Sequence, residues 1–209
     1  MTPDYWEAAA KTLARRDPVL RRLRAQHPDI TFRRRADAFT TLARAITGQQ
    51  ISVKAAQTVW NRVVAAGGGR TTRLAAPAIL ALDPAALRAC GLSQRKCEYI
   101  RDLAGKFVDG HIRPRRWRGM DDEAVIAELV AVKGIGRWTA EMFLMFNLLR
   151  PDVLPVDDLG LQKGVSVAYY KGRKVKLGTV RRVAEKWRPY RSVATWYLWR
   201  SLDPVPVEY

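Results

Sequence analysis

The chain of 209 residues is long enough for one large domain or two small lobes, and its 48% of apolar residues is ordinary for a globular protein. Its charge is unusual, because 37 Lys+Arg face only 20 Asp+Glu and the formal net charge is +17. This surplus indicates a polyanionic partner, most commonly nucleic acid. An acidic membrane surface is the competing partner, but no amphipathic basic helix or lipid anchor is evident.

Nothing in the sequence indicates secretion, membrane insertion or a structural cofactor. The first residues, MTPDYWEAAAKTLARRD, lack the continuous apolar core of a signal peptide, and no stretch approaches the roughly 20 apolar residues of a membrane span. Cys90 and Cys97 are too few for a disulfide framework or an iron–sulfur cluster, and His27 and His111 are isolated. We therefore expect a cytoplasmic protein with buried free thiols and neither a metal site nor a cofactor.

Apolar residues recur at helical spacing in chain order, and no segment shows convincing β alternation, so we predict an all-α fold. Residues 1–35 are helical in composition and rich in arginine, which indicates either a solvated helix face or phosphate contacts by Arg15, Arg16, Arg21, Arg22, Arg24 and Arg33–Arg35. The next helix has one apolar face, formed by Phe39, Leu42, Ala43 and Ile46. A polar turn, Gly48-Gln49-Gln50, separates it from a helix predicted to start near Ser52.

Capping signals divide the middle of the chain. Asp83-Pro84 predicts a helix start, and Gly91 predicts the end of that helix. Ser93 is expected to cap a helix that runs to about Val108, and residues 109–119 are predicted to form an arginine-rich loop. Asp121 and Asp122 then begin a further helix.

A glycine hairpin is predicted between two apolar helices, at Lys133-Gly134-Ile135-Gly136-Arg137. Glycines permit positive φ and remove the Cβ atoms that would hold off a phosphate. The free N–H groups of the next helix would face the anion, and such a device reads the backbone and not the bases. A plain αα-hairpin is the alternative for a bare Gly-x-Gly. Downstream stand two adjacent carboxylates, Asp157 and Asp158, either of which could cap a helix starting near Leu159.

These motifs resemble the helix–hairpin–helix superfamily of DNA glycosylases, and in particular its alkylpurine branch, the bacterial AlkA type of 3-methyladenine DNA glycosylase II. The resemblance spans about residues 36–200 and rests on the segments 44–53, 133–140, 154–160 and 187–194, together with Trp199. It implies two helical lobes with a cleft between them. The six-helix lobe would be 36–150, and the second lobe would join 1–35 to 151–209, without the N-terminal β-domain of the AlkA type.

The resemblance also implies the site residues. Asp158, the second of the pair, would be catalytic, while Asp157 would cap the following helix or orient local backbone. Trp138 and Trp199 match aromatic positions of the base pocket, where Met142 replaces a tyrosine. Bifunctional members of the superfamily carry a lysine at the position of Trp138, so we expect no lyase activity.

Contacts to DNA are expected from the hairpin and from the polar turn. The hairpin would contribute Lys133, Gly134, Ile135, Gly136, Arg137 and Thr139, and by analogy its carbonyl groups could hold a monovalent cation. Gln50 matches the residue that fills the gap left by a flipped base, and its neighbours Gln49 and Ile51 could share that role.

The expected function is therefore a monofunctional glycosylase that removes alkylated purines, such as 3-methyladenine and 7-methylguanine, from duplex DNA. We expect it to act as a monomer on damaged double-stranded DNA, in the cytoplasm and at the nucleoid of a bacterium. Two alternatives stay open. The first is a glycosylase for uracil, hypoxanthine or an oxidised purine, and the second is a non-catalytic DNA-binding module. An RNA-associated basic protein is a weaker third.

Overall fold

The structure, a computed structural model, describes residues 2–32, 37–69 and 73–202. The predicted basic run Arg33–Arg35 and the predicted lobe boundary at 35/36 lie outside these residues. Over the described ranges the chain forms helices and no β-strand, which confirms the all-α prediction. No helix in these ranges is both long enough and apolar enough to cross a bilayer.

Twelve α-helices and two short 3₁₀ segments, at Pro114–Gly119 and Glu185–Trp187, are present in the described part of the chain. The α-helices are α1 (Trp6–Arg16), α2 (Pro18–Gln26), α3 (Ala38–Gly48), α4 (Val53–Ala66), α5 (Ala76–Ala81), α6 (Pro84–Ala89), α7 (Gln94–Val108), α8 (Asp122–Val130), α9 (Arg137–Phe146), α10 (Leu159–Tyr170), α11 (Leu177–Ala184) and α12 (Arg191–Leu202).

The helices divide into two compact units. The described residues of the first, which we call the central unit, are 37–69 and 73–143, and those of the second, the terminal unit, are 2–32 and 144–202. The division falls within α9. The terminal unit is therefore discontinuous in sequence, since its first segment precedes the whole of the central unit.

Side-chain caps set the helix starts of the central unit. Ser52, Asp83, Ser93 and Asp121 each accept a hydrogen bond from a backbone N–H in the first turn of the helix that follows. These four starts confirm the predictions made from the capping signals. α7 packs against both α3 and α5, and the buried Trp60 and Trp117 fill the surrounding core.

α10 is the helix along which the terminal unit is organised, and α12 packs against it. Gly164 allows close approach, since a Cβ at this position would lie 2.9 Å from the Cβ of Leu198. Near the end of α10, the hydroxyl of Tyr169 donates a 2.7 Å hydrogen bond to the buried carboxylate of Asp17. Burial, and then the adjacent Asp17, raise the pKa of Tyr169, so its hydroxyl stays protonated and available as a donor.

Candidate active site and nucleic-acid interface

The predicted hairpin is present between α8 and α9. Its turn spans residues 131–136, and Ile135 is buried at 3% exposure, with its N–H donating a 3.1 Å bond to the carbonyl of Val132. An open depression of about 480 Å³ is lined by residues 130–136. The buried isoleucine fixes the turn from inside, while the turn as a whole borders the open depression.

Glycine is present at the two hairpin positions for different physical reasons. Gly134 has a φ of +80°, and a Cβ there would lie 2.6 Å from Cγ of Tyr99, so both the backbone and the packing require glycine. Gly136 has no positive φ, and a Cβ there would meet no described atom within 4 Å. Gly136 directly precedes α9 and its carbonyl accepts a 3.1 Å bond from the Ala140 N–H, a capping position where glycine is favoured over alanine. Its open side is available to an external group.

One face of α7 supports the hairpin and the polar turn together. Lys96 donates bonds of 2.8 Å to the carbonyl of Thr47 and 2.7 Å to that of Gln49, which lie at the end of α3. Tyr99, one turn further along α7, packs beneath the hairpin glycine. Asp102, a turn beyond, accepts a 2.9 Å bond from the backbone N–H of the hairpin lysine. Residues three apart on a helix share a face, so α7 holds both turns.

Electrostatics favours these supporting contacts. Burial lowers the pKa of Lys96, and its ammonium group is compensated by the two carbonyl oxygens. For Asp102, burial raises the pKa, but bonds from Lys106 and from the Lys133 backbone outweigh it, so the net shift is downward. The sequence patterns did not single out Lys96, Tyr99 or Asp102. Their spacing along α7 was the only available signal.

The polar turn also contacts the hairpin directly. Gln49 donates a 2.9 Å bond from Nε2 to the carbonyl of Gly134, so its side chain is engaged within the central unit. Gln50 is exposed and adopts a φ of +58°, and Ile51 is 41% exposed. The three candidates for the gap-filling residue thus divide into one that is tied to the hairpin and two that project from the turn.

Within the described residues, the two positively charged side chains of the hairpin differ in whether a carboxylate pairs with them. Lys133 is exposed, whereas Arg137 pairs with Glu123 and with Glu141. The Glu123 hydrogen bond is the leading cause that raises the pKa of Arg137. Two carboxylates therefore balance the charge of Arg137, and a phosphate would have to compete with them. Thr139 is half-buried in the first turn of α9.

Trp138 and Met142 lie one turn apart on α9. The indole of Trp138 is 39% exposed, which is unusual for so large an apolar side chain, whereas Met142 is only 7% exposed. Their spacing of four residues places them on the same side of the helix.

In the terminal unit, Asp158 is the N-cap of α10. Its Oδ1 accepts a 2.6 Å bond from the Leu161 N–H and a 2.8 Å bond from Nε1 of Trp199. Of the two roles open to Asp157, the structure excludes the helix cap: Asp157 is exposed, and Asp158 carries both the cap and the bond to Trp199. The two donors approach one carboxylate oxygen and so hold the carboxylate in a fixed orientation.

Gly160 and Phe146 complete this arrangement. A Cβ at Gly160 would lie 3.1 Å from both Cδ1 and Nε1 of Trp199, so glycine lets the indole lie against the first turn of α10. The ring of Phe146 stacks on Trp199 at a centroid distance of 6.2 Å and an interplanar angle of 23°. Neither residue was assigned a role from the sequence, because these contacts join segments far apart in the chain.

The side chains that could bind a metal ion are scattered. Among residues 2–32, 37–69 and 73–202, no group of three or more His, Cys, Asp or Glu side chains is placed to hold a metal ion. Cys90 and Cys97 are free and buried, as the sequence predicts, and burial raises the pKa of both thiols.

Comparison with known proteins places this geometry in context. The model of the family described as "HhH-GPD superfamily base excision DNA repair protein" matches residues 43–189. DNA-3-methyladenine glycosylase 1 of Schizosaccharomyces pombe is 35% identical over 171 residues, which cover 79% of this chain and 72% of that protein.

Two solved structures are also similar. A DNA-3-methyladenine glycosidase from Bacillus halodurans has a TM-score of 0.88 and 33% identity, and the match covers 97% of this chain and 92% of that one. The 3-methyladenine DNA glycosylase of S. pombe, solved with abasic DNA, has a TM-score of 0.77 and 29% identity, with coverage of 96% and 100%. The fold therefore has counterparts of known structure.

Proposed function

Because the chain belongs to the HhH-GPD superfamily of base excision DNA repair proteins, we propose that it is a DNA glycosylase that hydrolyses the N-glycosidic bond of alkylated purines in duplex DNA. The observation that carries the proposal is the carboxylate of Asp158, held at the start of α10 by Trp199 and by the Leu161 N–H. The similar proteins of known name are 3-methyladenine DNA glycosylases.

The chemistry follows from one oriented carboxylate. As the bond from C1′ to the base nitrogen breaks, its electron pair leaves with the base and the sugar acquires oxocarbenium character. Asp158 stabilises this cation and assists water, whose oxygen bonds to C1′ while its proton passes to the carboxylate and then to solvent. A purine alkylated at N3 or N7 is positively charged and leaves as a neutral base, so the reaction needs no separate general acid.

The reaction ends at the abasic site in this proposal. Strand cleavage by the lyase route needs an amine that forms a Schiff base with the sugar, and Trp138 offers none. Its exposed indole would instead stack on the flipped, cationic base. Trp199, by contrast, uses its N–H to orient Asp158.

We assign DNA binding to the hairpin and the polar turn. Gly136 leaves room for a phosphate to approach the start of α9, where N–H groups and the exposed Lys133 favour an anion. Gln50 is our choice for the residue that fills the gap, since it is exposed whereas Gln49 is bonded to Gly134. A monovalent cation at hairpin carbonyls and a monomeric state complete the proposal. The carbonyl of Gly134 is already used by Gln49, so the cation would need other carbonyls of the turn.

The decisive experiment is base release from methylated duplex DNA. We expect 3-methyladenine and 7-methylguanine in the supernatant, with strand breaks only after alkali treatment, and release slowed by at least about 10²-fold in Asp158→Asn. Direct nicking by the purified wild-type protein would contradict the monofunctional mechanism. DNA binding without release of any base would favour a non-catalytic module.

Position 142 favours testing one alternative in the same assay. Where the related AlkA type has a tyrosine, this chain has the softer, more adaptable Met142, which widens the bases that could be accommodated. Duplexes containing uracil, hypoxanthine or 8-oxoguanine should therefore accompany the methylated substrate. If one of these bases were released faster than 3-methyladenine, the protein would still be a DNA glycosylase, but its preferred substrate would be that base.

A further inference from the structure

The positive charge of the chain is unevenly distributed. Residues 171–182 contain six cations and no acidic residue, a formal +6 out of the net +17. We call this set the distal basic surface; it consists of Lys171, Arg173, Lys174, Lys176, Arg181 and Arg182. All six side chains are exposed. Neither the catalytic carboxylate nor the hairpin accounts for this concentration of charge.

These cations have no acidic partner among residues 2–32, 37–69 and 73–202. Some arginines elsewhere in the terminal unit are matched by acids, as Arg191 is by Asp152 at 2.8 Å and Arg24 is by Glu7 at 2.8 Å. Within the part of the chain that the structure describes, none of the six forms an ion pair. Like charges concentrated in this way repel one another and disfavour the folded state, so an external polyanion would relieve a cost that the fold carries.

The backbone that carries these side chains is ordered by hydrogen bonds. Lys171 adopts a left-handed φ of +55°, and the N–H of Gly172 donates a 2.9 Å bond to the carbonyl of Ser166. The hydroxyl of Ser166 donates in turn to the carbonyl of Arg173 at 2.7 Å. On α11, Val180 and Val183 are buried, which directs Arg181 and Arg182 outward. The cations therefore stand on a fixed scaffold, which lowers the entropy lost on binding.

The composition of the surface selects duplex DNA among polyanions. Proteins that grip single strands stack bases on aromatic side chains, and residues 171–182 contain none. Insertion into a membrane surface needs an apolar face, and Leu177, at 39% exposure, is the one large apolar side chain exposed in this segment. A row of cations without aromatic or apolar partners fits the regularly spaced phosphates of a duplex.

The distal basic surface lies away from the proposed catalytic residue. Asp158 and Lys171 flank opposite ends of α10, whose 12 residues span about 18 Å at 1.5 Å per residue. That length equals the rise of about five base pairs of a duplex. We propose that the distal basic surface binds phosphates of duplex DNA at a distance from the damaged nucleotide, and so strengthens non-specific association. The inference rests on the proposed function, because it takes DNA as the substrate.

The test compares two variants of residues 171–176, one that removes four positive charges and one that keeps them. The first variant carries Lys171→Gln, Arg173→Gln, Lys174→Gln and Lys176→Gln, and the control exchanges Lys and Arg at the same four positions. Binding to undamaged duplexes of 10 and 30 base pairs is measured by fluorescence anisotropy across a salt series, with thermal unfolding to confirm the fold.

We expect the Gln variant to bind the 30-base-pair duplex about 10-fold or more weakly at low salt. Its log K against log salt should be shallower by about 0.9 for each phosphate that the variant no longer neutralises. The control should match the wild type, the 10-base-pair duplex should be affected less, and single-turnover base release at saturating protein should not change. Unchanged affinity and slope for the Gln variant would overturn the inference, as would equal losses on the two duplex lengths.

Two further arms identify other partners. If the Gln variant loses binding to double-stranded RNA or to vesicles rich in phosphatidylserine, while DNA binding is unchanged, the surface serves that partner and the inference is overturned. Failure of the proposed function would be seen differently: the wild-type protein and both loop variants would all release no base.

Discussion

The hairpin turn of the central unit and the start of α10 in the terminal unit are both helix N-termini with a nearby glycine, yet they are built in opposite ways. The hairpin is held from behind, by Tyr99 and Asp102, and its outward side is left open at Gly136. The start of α10 is held at the carboxylate that we propose as catalytic, since Oδ1 of Asp158 itself receives two hydrogen bonds.

This difference matches two different tasks. Reading a phosphate backbone needs N–H groups and space, which many residues together provide, so no single side chain should be decisive. Bond cleavage needs one group in one orientation, so a single substitution should stop it. Substitutions at α10 should therefore affect the rate, and substitutions at the hairpin should affect binding or stability.

Asp158→Asn should have the largest effect. It removes the carboxylate charge and the site that takes up a proton, and a loss of about 10²- to 10⁴-fold in the single-turnover rate is expected. Asparagine caps helices about as well as aspartate, so the unfolding free energy should change little. Affinity for duplex DNA should be unchanged. If the Asn variant lost binding together with activity, the start of α10 would contribute to binding as well as to the rate.

Trp199→Phe should come next. The ring that stacks on Phe146 is kept in part, but the N–H that Asp158 accepts is lost. A hydrogen bond to a charged group contributes about 1.5–3 kcal/mol, which corresponds to a rate loss of about 10- to 100-fold if the bond orients the carboxylate. The loss should lie in kcat with KM nearly constant. A rise in KM alone would instead indicate that Trp199 acts by stacking on the base.

Gly134→Ala should destabilise the central unit by about 1–3 kcal/mol, because alanine is strained at this positive φ and its Cβ would overlap Tyr99. Chemical denaturation measures the change. Combining it with Tyr99→Ala should recover the steric part of the loss and leave the backbone part. A fully stable Gly134→Ala protein would show that the turn can relax away from α7.

Gly136→Ala should have a small effect on folding, about 0.5–1 kcal/mol, since its Cβ faces open space and only the capping preference for glycine is lost. Duplex affinity should nevertheless fall by up to about 10-fold, because the methyl group holds off the phosphate. Anisotropy on an undamaged duplex measures this loss. Unchanged affinity would show that Gly136 does not contact the phosphate, and Lys133 would then be the main hairpin contact with DNA.

Local features of the fold could be predicted from the sequence, and long-range ones could not. The capping starts at Ser52, Asp83, Ser93 and Asp121 are confirmed because a cap involves residues two or three apart. The bond from Trp199 to Asp158 joins residues 41 apart and depends on how α10 and α12 pack. Spacing alone therefore left the two aspartates equivalent as candidates for the helix cap.

The support from α7 was missed for a related reason. Lys96, Tyr99 and Asp102 read in sequence as an ordinary amphipathic helix with charged and aromatic residues at its surface. Their roles become visible only when the turns at the ends of α3 and α8 are in place. In the same way, the motif around Gly134 and Gly136 predicted the hairpin, but it did not distinguish a glycine needed for packing from one with space in front of it.

The discontinuity of the terminal unit has a consequence for how the protein is made. On the ribosome, residues 2–32 emerge first but must wait for 144–202, whose Tyr169 reaches back to Asp17. The central unit can fold in the interval, whereas the terminal unit must close a loop of more than 100 residues. The start of α10, which carries Asp158, is thus among the last parts to be assembled. A nascent chain would therefore form the hairpin before the start of α10 that carries Asp158.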